Sequence, residues 1–407
     1  MKEKRKKSER DVSPVSFESW KLYRSGVASM NEHPVHSHNG RESSGPSTFI
    51  IINCSIPQRA FTMDFTNRPP GIGSVIPGSS TASSVSFHSS GKRLFIAREG
   101  ESRLQVVDCL TGQEDRPALK LSQDTIRLVS ATHHEDCVLF TESSKNSPYG
   151  QKHSINYMSI YDNKILRKFR GHTDRINSLS LCPENDHFLS ASNDRTVRLW
   201  NISQAGCVAE CTLPPTAEAP LAAFDGTGMV FGVTAQNVNE GHYLHMYDAR
   251  NHTAGAFAEL KIPQASLSQA IVQAAPTMPL EQANALALMP FHSMQFNASG
   301  NQILMGSTGG GMSVLLDGFE GTVQKVLINP QTPATTPAVS CFTGDDQCVL
   351  SGNADGSIDV WQVDSGSIVQ RLDAGSAGGS IDSLAFNPAY QQFVSGGSEA
   401  ALWIWGS

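Results

Sequence analysis

The sequence lacks the features of several classes of protein. It has 8 cysteines, but the closest pair, Cys207 and Cys211, has no CxxC or CxxxH motif that would indicate zinc. No apolar run approaches the ~18 residues that span a bilayer. The opening MKEKRKKSER has no apolar stretch typical of a secretory signal. We therefore expect an intracellular protein in a reducing compartment, with no membrane, no metal and no cofactor.

Net positive charge is also missing. The formal charge is −7, which argues against general binding to a nucleic acid backbone, because such binding needs clustered Lys and Arg. One basic run does occur, from Lys2 to Arg10. It indicates either a nuclear import signal or a solvated tail.

The N-terminal part of the chain has little periodicity. Residues 1–46 are polar and rich in Ser, Lys, Glu and His, and this composition predicts a disordered extension. From residue 47 onward a folded domain is expected to continue to residue 407. FIIINCSI (Phe49 to Ile56) and RAFTMDF (Arg59 to Phe65) are typical of short strands. A Gly/Pro/Ser linker is predicted from Asn67 to about Ser84.

The most informative segment is GHTDRINSLSLCPENDHFLSASNDRTVRLWN, from Gly171 to Asn201. It begins with Gly-His, contains alternating apolar stretches separated by turn residues, and ends on Leu-Trp-Asn. This pattern is typical of one blade of a WD-repeat propeller, a unit of about 40–45 residues. Because one blade cannot bury its own faces, further copies are expected elsewhere in the chain.

The spacing within this blade locates those copies. Ser190 precedes Asp194 by four residues and Trp200 by ten, and the same spacing recurs in two other places: Ser351, Asp355 and Trp361; Ser395, Glu399 and Trp405. Weaker copies keep only an aspartate at the end of a strand: Val107-Asp108, Tyr161-Asp162, Tyr247-Asp248 and Leu316-Asp317. These seven units predict an all-β, seven-bladed propeller.

Two segments do not fit the repeat. The Ala/Gln-rich insertion from Pro263 to Pro290 could form a helix, but an inter-blade loop is the preferred prediction. The chain ends in LWIWGS, which leaves no sequence for an outermost strand in the last blade. A strand from the N-terminal side must therefore close the ring. We predict RAFTMDF for this position, with FIIINCSI as the alternative.

Some of the blade residues have the chemical groups of a hydrolase relay. The pattern instead favours a structural hydrogen-bond network that holds each blade together, formed by His172, Ser190, Asp194 and Trp200, with Ser351, Asp355 and Trp361 as counterparts in a later blade. No GxSxG elbow occurs, and no catalytic residue is predicted. The His133–Asp136 run HHED is interpreted as a hairpin turn rather than a metal site.

Arginines near the beginnings of blades are the candidate binding residues. Arg175 follows the Gly-His by three residues, Arg127 lies at a similar position in the preceding blade, and Arg195 follows Asp194 in a turn. In a propeller these loops surround one mouth of the central channel, where guanidinium groups could bind a phosphate or carboxylate in a bidentate manner. The alternative is ordinary solvated surface.

A closer resemblance appears in SINYMSIYDNKILRKFRGHTDRINSLSLCPENDHFLSASNDRTVRLWNI, where YDNK is followed shortly by F-x-GH. This segment resembles the WD-repeat propeller subunit of COMPASS-type histone H3 lysine methyltransferase complexes, which is shared with nuclear phosphatase and cleavage–polyadenylation complexes. Supporting matches are LAAFDGTGMVFG, MYDAR, ILMGSTGGGMSVLLDGFEG and FNPAYQQFVSGGSEAALWIW. The N-terminal extension, the 263–290 insertion and the Gly/Ser-rich GSAGGS depart from the family pattern.

The resemblance implies a nuclear, non-catalytic scaffold in chromatin and transcription. Its implied partners are a SET-domain methyltransferase subunit and other complex subunits, a nuclear phosphatase scaffold, and the serine-phosphorylated tail of RNA polymerase II. Arg127, Arg175 and Arg195 would be the phosphopeptide contacts. The alternative is a substrate receptor of a cullin-type ubiquitin ligase, because Tyr247-Asp248-Ala249-Arg250 resembles a WDxR box.

Overall fold

The computed structural model describes residues 63–120, 125–143, 153–237, 240–330, 332–374 and 379–405. Within these ranges the chain forms seven four-stranded antiparallel sheets, and each sheet is one blade of a propeller. The predicted all-β, seven-bladed architecture is therefore confirmed. The predicted 1–46 extension and the segment FIIINCSI lie outside the described residues.

The strands follow one another from the inner to the outer edge of each blade. The chain begins with β1 (Gly71–Ile76). Blade 1 contains β2 (Ala82–Phe87), β3 (Arg93–Arg98), β4 (Arg103–Asp108) and β5 (Gln113–Lys120). Blade 2 contains β6 (Thr125–Ala131), β7 (Cys137–Ser143), β8 (Ile155–Ser159) and β9 (Lys164–Phe169). Blade 3 contains β10 (Ile176–Leu181), β11 (His187–Ser192), β12 (Thr196–Asn201) and β13 (Cys207–Thr212).

The second half of the ring repeats this order. Blade 4 contains β14 (Ala217–Phe224), β15 (Val230–Asn237), β16 (Gly241–Asp248) and β17 (Ala256–Pro263). Blade 5 contains β18 (Phe291–Phe296), β19 (Gln302–Ser307), β20 (Ser313–Asp317) and β21 (Val323–Leu327). Blade 6 contains β22 (Val339–Phe342), β23 (Cys348–Gly352), β24 (Ser357–Gln362) and β25 (Ile368–Asp373). Blade 7 contains β26 (Ser383–Phe386), β27 (Gln392–Gly396) and β28 (Ala400–Ile404), and β1 completes it.

The ring is closed by a strand from the N-terminal side, but not by the predicted one. β1 pairs antiparallel with β28, with Ile72 opposite Trp403 and Ile76 opposite Ala400. The prediction of RAFTMDF was wrong, and the predicted linker 67–84 contains β1 and the start of β2. GIGSVI is largely exposed at the outer edge and needs few apolar side chains, so its sequence carries little of the pattern by which strands are predicted.

The described end of RAFTMDF packs beside the closure instead. Phe65 is buried between blades 6 and 7, where its ring lies edge-on to Trp405 with centroids 5.1 Å apart. The amide of Met63 donates to the Asp345 carboxylate of blade 6 at 2.9 Å. The segment therefore stabilises the junction of these two blades through side-chain packing rather than through strand pairing. Residues 59–62 lie outside the described ranges.

A buried arginine links the closing strand to both neighbouring blades. Arg98, at the end of β3, is 1% exposed. Its guanidinium donates to the carbonyls of Ile76 in β1, Ser80 and Ser398 and to the side chain of Gln105 at 2.7 Å. Since a buried guanidinium is tolerated only when its N–H groups are satisfied, this arrangement holds the first and last blades in register.

The insertion from Pro263 to Pro290 forms two helices, α1 (Gln264–Ala274) and α2 (Leu280–Ala287). The preferred prediction of a loop was therefore wrong. Leu267 and Ile271 are four residues apart and both fully buried, and they pack with Leu286 in the core between blades 4 and 5. The segment is rich in alanine and glutamine, so its buried and exposed positions differ little in hydrophobicity and the helical period is hard to detect. Both residues nevertheless favour helix.

Candidate functional site

The predicted residues of blade 3 form one buried hydrogen-bond network. The imidazole of His172 lies 2.9 Å from the Asp194 carboxylate through Nδ1 and 2.7 Å from Ser190 Oγ through Nε2. Trp200 Nε1 donates to the same Ser190 Oγ at 2.8 Å, and Thr196 Oγ1 donates to Asp194 at 2.7 Å. With Nδ1 protonated, every polar atom of this set has a partner.

Electrostatics and access both bear on what this network can do. Burial by itself would raise the pKa of Asp194, but the hydrogen bonds from His172, Thr196 and the Thr173 amide hold that pKa below its usual range. The Ser190 side chain is 0% exposed, so no substrate carbonyl reaches its hydroxyl in this arrangement. The geometry therefore favours the architectural interpretation of these residues over a hydrolase relay.

The counterparts in blade 6 share the spacing but not the network. Trp361 lies opposite Val349 in the strand register, just as Trp200 lies opposite Phe188. Among the described residues, however, Trp361 Nε1 has no hydrogen-bond partner. The Asp355 carboxylate instead accepts from Arg371 at 2.7 Å and from Ser357. The hydrogen bond expected between Ser351 and Trp361 is thus not formed.

The spacing rule also assigned the wrong tryptophan in blade 7. Trp403, not Trp405, lies opposite Phe393, and its Nε1 donates to Ser395 Oγ at 2.9 Å. The hairpin from Phe393 to Trp403 is two residues shorter than the hairpin from Phe188 to Trp200, because each of its two strands is one residue shorter. The marker tryptophan therefore occurs earlier. Trp405 follows β28 and packs against Phe65 and Phe386.

The predicted arginines lie at the end of the propeller where the innermost strands begin, which we call the top face. Arg127, on β6, and Arg175, just before β10, line the same cavity of about 240 Å³. The other lining residues come from blades 1 to 3: Glu99, Thr141, Glu142, His153 and Ile176. The structure therefore brings two of the three candidate arginines together.

The charges in this cavity are unevenly compensated. Arg127 donates to the Ile176 carbonyl at 2.7 Å, and its pKa is lowered to about 10 by burial and by the neighbouring charge of Arg175. Neither arginine forms an ion pair within the described parts of the chain. Glu142, in contrast, is paired with Lys168 at 3.3 Å and accepts from Ser154. The pair of guanidinium groups is therefore open to an added anion.

Arg195 does not contribute to this cavity. It lies in the turn between β11 and β12 with a positive φ of 63°. Its Nη1 donates to the Pro215 carbonyl at 2.8 Å, towards blade 4. Of the three candidate arginines, only Arg127 and Arg175 therefore face the cavity. His153, Thr141 and Glu142 were not predicted: His153 is the last residue of the polar insertion SSKNSPYGQKH, which interrupts the repeat, and Thr141 and Glu142 precede it. Residues 144–152 lie outside the described ranges.

The HHED run occupies the predicted turn between β6 and β7. His133 Nε2 lies 2.9 Å from the Cys182 carbonyl of blade 3, and Asp136 pairs with Arg93 at 2.7 Å. Across the described residues, no group of three or more His, Cys, Asp or Glu side chains could hold a metal ion. None of the helices that the structure describes is long and apolar enough to cross a membrane.

The fold and its repeat define the class: this chain is a WD-repeat β-propeller. The family described as "WD domain, G-beta repeat" matches residues 163–201, which include the Asp194 turn and Trp200. This range comprises β9 of blade 2 and β10 to β12 of blade 3, and the remaining blades are recognised by their strand order and register.

The chain is also related to particular WD-repeat proteins over most of its length. It is 27% identical over 322 residues to WD repeat-containing protein 82 of Drosophila melanogaster, covering 79% of this chain and 89% of that protein. It is 27% identical over 312 residues to the COMPASS component SWD2 of Saccharomyces cerevisiae, covering 70% and 85%. The Set1 complex component swd2 of Schizosaccharomyces pombe is 25% identical over 244 residues, covering 59% and 57%. The predicted resemblance to the WD subunits of COMPASS-type complexes is thereby confirmed.

Proposed function

We propose that this chain is a non-catalytic scaffold subunit of a nuclear histone H3 lysine methyltransferase complex of the Set1/COMPASS type. The supporting observation is its similarity, along 70% of its length, to a yeast protein named as a COMPASS component. The fold agrees with this role, since propellers present large rigid surfaces and the serine of the histidine network is fully buried.

Affinity purification from nuclear extract, followed by mass spectrometry, tests the assignment. A SET-domain methyltransferase is the expected partner, and a nuclear phosphatase scaffold would be a second one. Recovery of a cullin adaptor without either partner would favour the alternative, in which Tyr247-Asp248-Ala249-Arg250 acts as a receptor box. In the structure Arg250 Nε lies 3.3 Å from Asp248 Oδ1, so that contact would have to open for the arginine to bind another protein.

We further propose that the top-face cavity binds a phosphoserine of the RNA polymerase II tail, and thus links the complex to transcription. Arg127 and Arg175 are the groups that support this proposal, because they face one cavity without carboxylate partners in the described chain. Two guanidinium groups suit the three oxygens of a phosphate ester better than one point charge does.

Binding of a doubly phosphorylated polymerase-tail peptide provides the test. Combining Arg127→Glu with Arg175→Glu is expected to abolish detectable binding, whereas Arg195→Glu, at a surface arginine outside the cavity, is the matched control. Since Arg127 also bonds the Ile176 carbonyl, thermal unfolding must accompany the measurement. Arg175 is exposed, so the single Arg175→Glu variant separates binding from folding. Unchanged affinity in both charge-reversal variants would rule out this site.

A further inference from the structure

A buried histidine without a partner lies beside the two arginines of the cavity. His153 is 9% exposed and lines the cavity together with Arg127 and Arg175. Its ring makes no hydrogen bond to any residue that the structure describes. The ring nitrogens are therefore free to bond a ligand that enters the cavity.

The charges around His153 come from blades 1 to 3, and Glu99 of blade 1 lines the same cavity. Burial lowers its pKa most, and the neighbouring His172 and Arg127 lower it further, whereas Asp174 and Asp194 oppose this effect. Arg175 and Glu142 also line the cavity, but the Glu142 charge is paired with Lys168. Burial, more than repulsion, therefore disfavours the imidazolium in the free protein, and an anion that enters the cavity would favour it.

We propose that His153 is a third phosphate contact, which binds as the imidazolium, so that the cavity takes up a proton together with a dianionic phosphate ester. This inference rests on the phosphopeptide function proposed above and names a further residue of the same site. The phosphate offsets the repulsion from Arg127 and gives the ring an acceptor for its N–H. Both effects favour the charged imidazole in the complex.

The sign of the pH dependence follows from this coupling of proton uptake to phosphate binding. The His153 pKa is lowered in the free protein and raised in the complex, so affinity increases as pH falls through the pKa of the complex. Between pH 8.5 and 7.0 a phosphoserine remains mostly dianionic, because its second pKa is about 6. Over this interval we expect the affinity for the doubly phosphorylated tail peptide to rise by up to about tenfold, the change that one pKa unit on binding can produce.

Titration calorimetry measures the proton directly. At pH 7.0, binding enthalpies in two buffers of different ionisation enthalpy report net proton uptake by the wild-type protein. His153→Gln keeps a hydrogen-bond donor without a titratable charge. This variant is expected to bind the peptide with a nearly pH-independent affinity and without buffer dependence. His187→Gln, which replaces a histidine at the start of β11 outside the cavity, is the control and should retain the uptake.

The outcomes separate the two proposals. If the charge-reversal arginine variants abolish binding but His153→Gln still shows wild-type proton uptake, the histidine assignment is wrong and the arginine site stands. If the arginine variants bind as tightly as the wild type, the site itself is wrong and the histidine assignment fails with it. If His153→Gln unfolds at a temperature close to that of the wild type, a folding defect is excluded as the cause of its lost proton uptake.

Discussion

Blades 3 and 6 carry the same serine, aspartate and tryptophan at the same spacing, yet they are held together differently. In blade 3 the histidine His172 bridges Ser190 and Asp194 from the connection that precedes the first strand. In blade 6 the preceding connection, residues 328–338, contains no histidine, and the aspartate bonds to Arg371 of the outermost strand instead. The shared spacing therefore reports strand register and turn length, while the network depends on a residue outside that spacing.

One cross-strand ion pair occurs in both blades with its two charges exchanged between the strands. In blade 3, Arg198 of β12 pairs with Glu210 of β13 at 2.9 Å. At the corresponding positions of blade 6, Asp359 of β24 faces Arg371 of β25 at 3.6 Å. Asp359 is 1% exposed and accepts from Asn353 at 2.9 Å. Opposite charges across neighbouring strands thus recur with inverted sign, because cross-strand attraction does not depend on which strand carries which charge.

The largest difference between the two blades is expected on removal of the histidine. His172→Leu leaves the Asp194 carboxylate, whose side chain is 6% exposed, without its bond to the imidazole, and it leaves Ser190 without an acceptor. Loss of one partner from a buried charged network costs about 3 kcal/mol. Chemical denaturation should show this loss. The control His187→Leu, at a half-buried position of the same blade, should cost less than about 1 kcal/mol.

Acid should weaken blade 3 through the same carboxylate. The pKa of Asp194 is lower in the folded chain than its usual value near 3.8, so its contribution is complete above that value and is lost as pH falls towards the folded pKa. The effect is expected to be smaller than that of His172→Leu, because the protonated carboxyl still forms hydrogen bonds. Denaturation between pH 5 and pH 2 measures the slope. Asp194→Asn should be less stable at pH 7 and show a shallower fall in acid, and an unchanged slope would contradict this role.

Several features of the fold followed from local sequence pattern. The number of blades could be counted because a single aspartate at a strand end survives even in degenerate repeats, as at Asp108, Asp248 and Asp317. In each of these positions the carboxylate accepts backbone N–H groups of the following turn. The proximity of Arg127 and Arg175 was also expected from the pattern, because nearby positions at the beginnings of neighbouring blades lie side by side in a ring.

Other features depend on contacts that no local pattern records. β1 has a glycine-rich, exposed sequence, and it becomes a strand because β28 offers an unpaired edge and because Arg98 bonds the Ile76 carbonyl. The helices α1 and α2 are stabilised by burial of Leu267 and Leu286 against blades 4 and 5. His153 belongs to no local motif: it lines the cavity beside two arginines that are distant from it in sequence.

The smallest expected effect isolates a single hydrogen bond. Trp200→Phe and Trp361→Phe remove the same atoms from the same register position, and both tryptophans are buried. The first substitution also breaks the bond from Trp200 Nε1 to Ser190, whereas Trp361 Nε1 has no partner in the described chain to lose. The difference between the two free energies of unfolding is therefore expected to be about 1 kcal/mol, the usual net value of one hydrogen bond. Equal losses in paired denaturation curves would mean that packing alone, rather than the histidine network, makes blade 3 the best-preserved repeat of the chain.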